Sequence, residues 1–209
     1  MGLTKNSTGL NAVDTGLDLK KFLPEDKVIA LAGNPNVGKS TVFNNLTGLN
    51  QHTGNWPGKT VASAQGVCRH NGKNFILVDL PGTYSLMPHS AEEEVARDFM
   101  CFGSPDAAIV VCDATCLERN LNLVLQALEI TPNVVVCVNL LDEAKRKNIH
   151  IDLDMLSLRL GVPVIGTIAR KKGSLNRLMQ AVDTLIEKGG NGKPYQVKYD
   201  EHIEEAVGL

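Results

Sequence analysis

An eight-residue run, Gly33-Asn34-Pro35-Asn36-Val37-Gly38-Lys39-Ser40, follows the apolar stretch Val28 to Ala32 and is followed by Thr41. It fits the pattern G-x-x-x-x-G-K-[ST], in which glycines let the backbone wrap closely enough around a phosphate for its amides to point inward. Lys39 supplies a fixed cation, and the Ser40 hydroxyl stands where it can ligate magnesium. A helix over Lys39 to Thr47 aims its positive N-terminal end at the same anion. Gly33 to Thr41 is therefore the candidate phosphate cradle. A glycine-rich strand-to-helix turn without a ligand is the plain alternative, and the strand and helix flanks count against it.

Two further motifs follow in order. Asp79-Leu80-Pro81-Gly82 closes the apolar run Phe75 to Val78. A strand there delivers the Asp79 carboxylate beside the phosphates, where it can hold magnesium through water, and Gly82 offers an amide to the terminal phosphate. Taken alone, such a segment is an ordinary strand-ending turn. Asn139-Leu140-Leu141-Asp142 ends the run Val134 to Val138. A carboxylate at Asp142 can accept the N1 and N2 hydrogens of guanine. Adenine has an acceptor at N1 and no N2 amine, so it leaves that carboxylate unpaired at a cost on the order of 1–3 kcal/mol or more. Asn139 suits a buttress of the loop better than a base contact. A polar turn after a buried strand is the alternative here. In sequence, the three motifs imply binding, and hydrolysis, of GTP.

The elements that must carry these residues alternate. Strands are expected over Val28 to Ala32, Lys59 to Cys68, Asn74 to Asp79, Ala107 to Asp113, Val134 to Asn139 and Val162 to Gly166, from apolar runs bounded by turn residues. Helices are expected over Lys39 to Thr47, Ala91 to Phe102, Asn120 to Thr131, Asp152 to Leu160 and Ser174 to Lys188. Asn71-Gly72 suits a tight hairpin turn, which makes its two strands antiparallel. The fold class is therefore α/β: a P-loop NTPase of the Ras-like G-domain kind, with a mostly parallel sheet of six to seven strands, one antiparallel edge strand, and helices on both faces. Residues 1–26 read as a leader segment, 27–188 as the G domain, and 189–209 as a glycine-rich linker plus the cut-off start of a helical domain.

Composition narrows the partners. A formal charge of -2 gives no basic field, and 4% aromatic residues are too few for a base-stacking platform, so nucleic acid is not an expected partner. The triplets Lys145-Arg146-Lys147 and Arg170-Lys171-Lys172 read as solvated faces. No run of about 18 apolar residues occurs, so this piece reads as soluble. Five unpatterned cysteines fit a reducing compartment and small core residues rather than a metal centre.

The segments GNPNVGKS (33–40), Gly54-Asn55-Trp56-Pro57-Gly58-Lys59-Thr60-Val61 and DLPGTYSL (79–86) closely resemble the N-terminal G domain of the bacterial ferrous iron transport protein B. The resemblance runs from about Val28 to Lys188. It implies a cytoplasmic GTPase domain, on the inner-membrane side of a transporter whose helical and membrane domains follow, so those domains and GTP or GDP are the implied partners, with a homo-oligomer left open. It assigns Gly58 and Thr60 to the first switch, where the Thr60 hydroxyl completes magnesium coordination together with Ser40 and Asp79. Trp56 in that segment either packs the loop down or meets a partner. Ras-like GTPases carry a water-orienting glutamine after the glycine of the second motif, and Thr83 stands there instead. Asn36 offers another route: in potassium-dependent GTPases with a similar loop, an asparagine at this position helps hold a potassium ion against the phosphates. Asn36, Lys39, Thr60 and Gly82 are thus the candidate catalytic residues, with magnesium and activating potassium as cofactors. After the last strand the family pattern of small residues reads Thr167-Ile168-Ala169 here. The Ala169 amide is the expected contact to guanine O6, and the bulkier Ile168 is a departure that bears on nucleotide affinity. A binding switch with negligible turnover, and a potassium-dependent GTPase of RNA modification or ribosome assembly, remain as alternatives.

Overall fold

The computed structural model describes residues 25–48, 51–56, 60–171, 173–189, 193–197 and 202. Residues 1–24 of the expected leader, Gly58 of the expected first switch, and nearly all of the expected start of a helical domain lie outside the described residues. In chain order the elements are β1 (Lys27–Gly33), α1 (Lys39–Thr47), β2 (Gln51–Asn55), β3 (Ala62–His70), β4 (Lys73–Asp79), α2 (Ala91–Phe102), β5 (Ala107–Asp113), α3 (Leu117–Ile130), β6 (Val134–Asn139), α4 (Leu141–Arg146), α5 (Leu153–Leu160), β7 (Val164–Gly166) and α6 (Asn176–Glu187).

The strands form one seven-stranded sheet in the order β2-β3-β4-β1-β5-β6-β7. β1, β5 and β6 are buried along nearly their whole length, as their unbroken Val, Ile and Ala runs require when both faces are covered. On one face α2, α3 and α5 pack on Val28, Ala30, Val78, Val110 and Val136. On the other, α1 and α6 pack on Ile29, Leu31, Leu77, Ile109 and Val135. Alternate residues of each strand thus serve opposite layers, the period-2 geometry of a strand.

β3 is antiparallel to β4, joined by Asn71 and Gly72 at φ 49° and 78°. Positive φ at both turn residues is what a two-residue hairpin loop of right-handed twist needs. The expected antiparallel edge strand is corrected in one respect: β3 is not the edge, because β2 pairs outside it, Gln51 to Asn55 against Gly66 to Ala62. Its sequence QHTGN is polar and without alternation, so only the backbone ladder supplied by β3 makes it a strand. The expected strand from Lys59 begins instead at Ala62. Just ahead of it the Trp56 amide donates to the Val61 carbonyl at 2.8 Å. Trp56 is 4% exposed and meets Phe99 of α2 edge-on at 5.5 Å, so this aromatic packs the loop onto the body of the domain. α3 starts three residues earlier than its sequence pattern suggests, and α4 was not expected at all. Among the described residues no helix is long and apolar enough to cross a membrane.

Candidate nucleotide site

Strand register brings the three motifs to one edge of the sheet. Leu31 pairs with Asp79, Gly33 with Val111, and Asp113 with Asn139, so the carboxyl ends of β4, β1, β5 and β6 lie side by side. That edge is where ligands of open α/β sheets sit. α1 starts directly above it, and a cavity of about 490 Å³ opens there, lined by Asn34, Pro35, Asn36, Gly38, Lys39, Ser40, Thr41 and Gly82. The first motif and the end of the second are therefore in one concavity, as their chemistry requires. Gly38 has to be glycine twice over. Its φ is 83°, and a Cβ there would lie 2.4 Å from the Asn139 amide nitrogen. Asn36 also takes a left-handed φ, 65°, which asparagine accepts more readily than most residues. A Cβ on Gly82 would press to 3.3 Å from Pro35 Cα, so the second motif closes tightly over the loop.

Lys39 reaches across the floor of this cavity. Its ammonium pairs with the Asp79 carboxylate and donates to the Leu80 carbonyl at 2.6 Å, with both side chains largely covered. The cation and the candidate metal ligand thus neutralise each other. A phosphate would take over the ammonium and a divalent cation the carboxylate, so each charge has a stronger partner available within the same cavity. Ser40 lines the wall beside them. A hydroxyl next to a carboxylate is an all-oxygen donor set suited to magnesium. Asn34 is 2% exposed and neither atom of its amide has a hydrogen-bond partner.

Asn139 joins the phosphate loop to the base side. Its amide donates to the Val37 carbonyl at 3.1 Å, while its oxygen accepts from the Thr167 hydroxyl at 3.2 Å and the Ala169 amide at 3.0 Å. The side chain is 1% exposed, so three segments far apart in sequence are cross-linked by one buried carboxamide. This is the buttress expected of it. The Ala169 amide, expected to face guanine O6, is already engaged by that oxygen. Asn45 of α1 donates to the Ala169 carbonyl at 2.7 Å, and the Ser174 hydroxyl to the Ile168 carbonyl at 2.7 Å, so both sides of the 167–169 loop are tied down.

Asp142 lies in the first turn of α4, entered through Leu140 at φ 62° and ψ 31°. A left-handed conformation costs a non-glycine residue roughly 1–2 kcal/mol. Such strain persists only where the surrounding structure holds it in place. One Asp142 oxygen pairs with the Arg170 guanidinium; the other is buried without a partner. Partial burial pushes the Asp142 carboxyl upward, but the hydrogen bond and charge of Arg170 outweigh it and hold the group below the ordinary carboxylate value.

One candidate stands apart from the cavity. Thr60 is exposed and not among the lining residues. Thr83 is 2% exposed, its hydroxyl directed to the Ser85 carbonyl and 3.3 Å from the Glu93 carboxylate, while accepting the Ser85 amide at 3.1 Å. It shapes the segment after Gly82 and cannot stand in for a water-orienting glutamine.

The family model for ferrous iron transport protein B matches residues 27–182. The chain belongs to the FeoB family. The Fe(2+) transporter FeoB of Shigella flexneri is 45% identical over 159 residues, 74% of this chain and 21% of that protein. The chain thus spans about a fifth of the length of the curated relatives it matches. Among solved structures, the G domain of the T. maritima FeoB iron transporter superposes with a TM-score of 0.72 at 40% identity, covering 76% of this chain and 97% of that one. The cytosolic domain of the same transporter in a GMPPNP form gives 0.82 at 38% identity, covering 87% and 71%. The chain is therefore an N-terminal FeoB G domain in fold.

Within this FeoB domain the cavity is lined by residues of the first motif and by Gly82, while Asp142 stands in the first turn of α4. Asn45, Thr167 as a hydroxyl donor, and Arg170 were not picked out as working groups. Asn45 carried no signal beyond its place in α1. Arg170 did carry one, a cation next to Ala169, but its partner 28 positions earlier is visible only in three dimensions.

Proposed function

We propose that this chain binds GTP and hydrolyses it to GDP and phosphate, and that it regulates ferrous iron uptake by the membrane domains of an intact transporter. The observation that carries the guanine assignment is the buried Asp142 oxygen without a hydrogen-bond partner, in the first turn of α4 just after Asn139 ends β6. A purine offering two adjacent N–H donors would satisfy it. That the domain's relative in T. maritima is described in a GMPPNP form supports the same ligand class.

In this reading Gly33 to Thr41 cradles the triphosphate, with Lys39 exchanging Asp79 for phosphate oxygens and Gly82 placing its amide at the terminal phosphate. Ser40, Asp79 and Thr60 are the residues that would hold magnesium, which supplies charge neutralisation of the phosphates when bound. Thr60 and Gly58 are the residues assigned to the first switch of the domain. Leu80 and Pro81 carry the chain from Asp79 at the end of β4 to Gly82, with Leu80 buried and its amide bonded to the Leu31 carbonyl. Asn36 is the residue that would hold potassium. The left-handed backbone that turns Asn36 over the cavity supports this role, as does the engagement of the Thr83 hydroxyl elsewhere. Ile168, half-buried between Thr167 and Ala169, is the residue of that loop that bears on nucleotide affinity.

The buried Thr83 also favours a second reading, a GTP/GDP switch with negligible turnover. Multiple-turnover phosphate release, compared for GTP and ATP and in potassium and sodium, decides between them. The proposed GTPase predicts release from GTP alone, faster in potassium, with that advantage lost in Asn36→Ala. Equal rates in the two salts refute the potassium role, and no release above background leaves only the switch.

A further inference from the structure

We infer that Arg170 is a latch on the base site, closing over Asp142 when no nucleotide is bound and released when guanine enters. The inference rests on the guanine reading of Asp142 above. Guanine and Arg170 both present N–H donors to the same carboxylate, so they compete for it. The Arg170 guanidinium holds one oxygen of Asp142, and the other has no partner and no solvent contact. A base that takes up the paired oxygen has to displace the guanidinium from it. The residue is suited to move. Arg170 is 60% exposed against 20% for Asp142, and it follows the tied-down Ala169, so a change at its own side-chain torsions clears the site without disturbing the loop. Arg146 pairs with Glu143 at 3.3 Å and acts on Asp142 by its charge, whereas Arg170 is the cation hydrogen-bonded to that carboxylate.

A latch of this kind acts on the empty site, so it slows entry of the nucleotide and changes its departure little. An arginine that instead folded onto a bound base would slow departure. The contact is exposed on one side, and exposed ion pairs change equilibria by only a few fold, so Arg170→Ala should associate about two- to fivefold faster than the parent chain. The gap should shrink as salt rises and screens the pair.

Stopped-flow binding of a ribose-labelled fluorescent GDP analogue to the wild type, Arg170→Ala and Arg170→Lys tests the inference. The expected order of association rates is alanine fastest, lysine intermediate and wild type slowest, with dissociation altered less than twofold. The control is a cycle in the Asp142→Asn background, measured with labelled xanthosine diphosphate: without the carboxylate, Arg170→Ala should accelerate nothing. Association that is unchanged or slower in Arg170→Ala, or an equal acceleration in the Asp142→Asn background, overturns the latch while leaving the guanine reading standing. A wild type with no preference for GDP over ADP overturns the guanine reading, and the latch with it.

Discussion

Replacing Asn139 with alanine should destabilise the domain even with no nucleotide present. The side chain bridges Val37, Thr167 and Ala169 at 3.0–3.2 Å and is essentially buried. On its removal the Thr167 hydroxyl keeps a contact to the Cys137 sulfur at 3.3 Å, but the Val37 carbonyl and the Ala169 amide lose the partner that the carboxamide gave them. Each buried polar group left without a partner costs about 1–3 kcal/mol, so the loss should be roughly 3 kcal/mol. For a domain of this size that corresponds to a fall of about 6–12 °C in Tm. Urea unfolding monitored by the single tryptophan, Trp56, reads it directly. Asn139→Asp sharpens the test. It keeps both acceptor contacts, loses the donor to Val37, and sets a charge against that carbonyl, so at neutral pH it should be at least as unstable as the alanine variant. A loss below about 1 kcal/mol in Asn139→Ala, with an unchanged m-value, would refute the view that this side chain joins the phosphate loop to the base loop.

Gly38→Ala should lower stability by at least about 1 kcal/mol, because its φ of 83° and the 2.4 Å approach to Asn139 both resist a methyl group; thermal melting checks this, and a Tm within a degree of the parent would contradict it. The Asp142 carboxyl titrates below its ordinary value of 3.8 in the folded chain, so its pairing with Arg170 adds stability above that pH and loses it as pH falls through the lowered value. The wild type should therefore be more stable than Arg170→Ala by a constant margin from neutral pH to about pH 4, the margin vanishing in stronger acid; a margin that grows on acidification has the wrong sign. Of the five cysteines, the exposed Cys101 and Cys116 should react with Ellman's reagent in the native protein, while Cys68, Cys112 and Cys137 wait for unfolding. Burial pushes the Cys68 thiol up to about 11 and Cys137 up to about 12, which removes the reactive thiolate as well as access. More than two fast thiols would count against the packing of those three.

The glycine-rich loop with its lysine, and the strand-ending motifs that carry Asp79 and Asp142, were legible because each is set by a local rule. A tight anion cradle needs glycine at fixed offsets, and an unbroken apolar run must be a strand covered on both faces. The hairpin at Asn71-Gly72 was legible for the same reason, since positive φ at two successive residues restricts the residue types sharply. Strand β2 was not: a polar QHTGN segment becomes a strand only because β3 presents it with a free backbone ladder. Trp56 could have faced a partner or the core, and Phe99, 43 positions later, decided it. The pairing of Lys39 with Asp79, the three-way Asn139 joint and the covering of Asp142 by Arg170 likewise join residues that are 28 or more positions apart. Local spacing selects which backbone shapes a segment can take, and so the motifs were written in the chain. Which charge neutralises which in this site depends on sheet register and loop closure, and only the folded structure brings those groups within reach of one another.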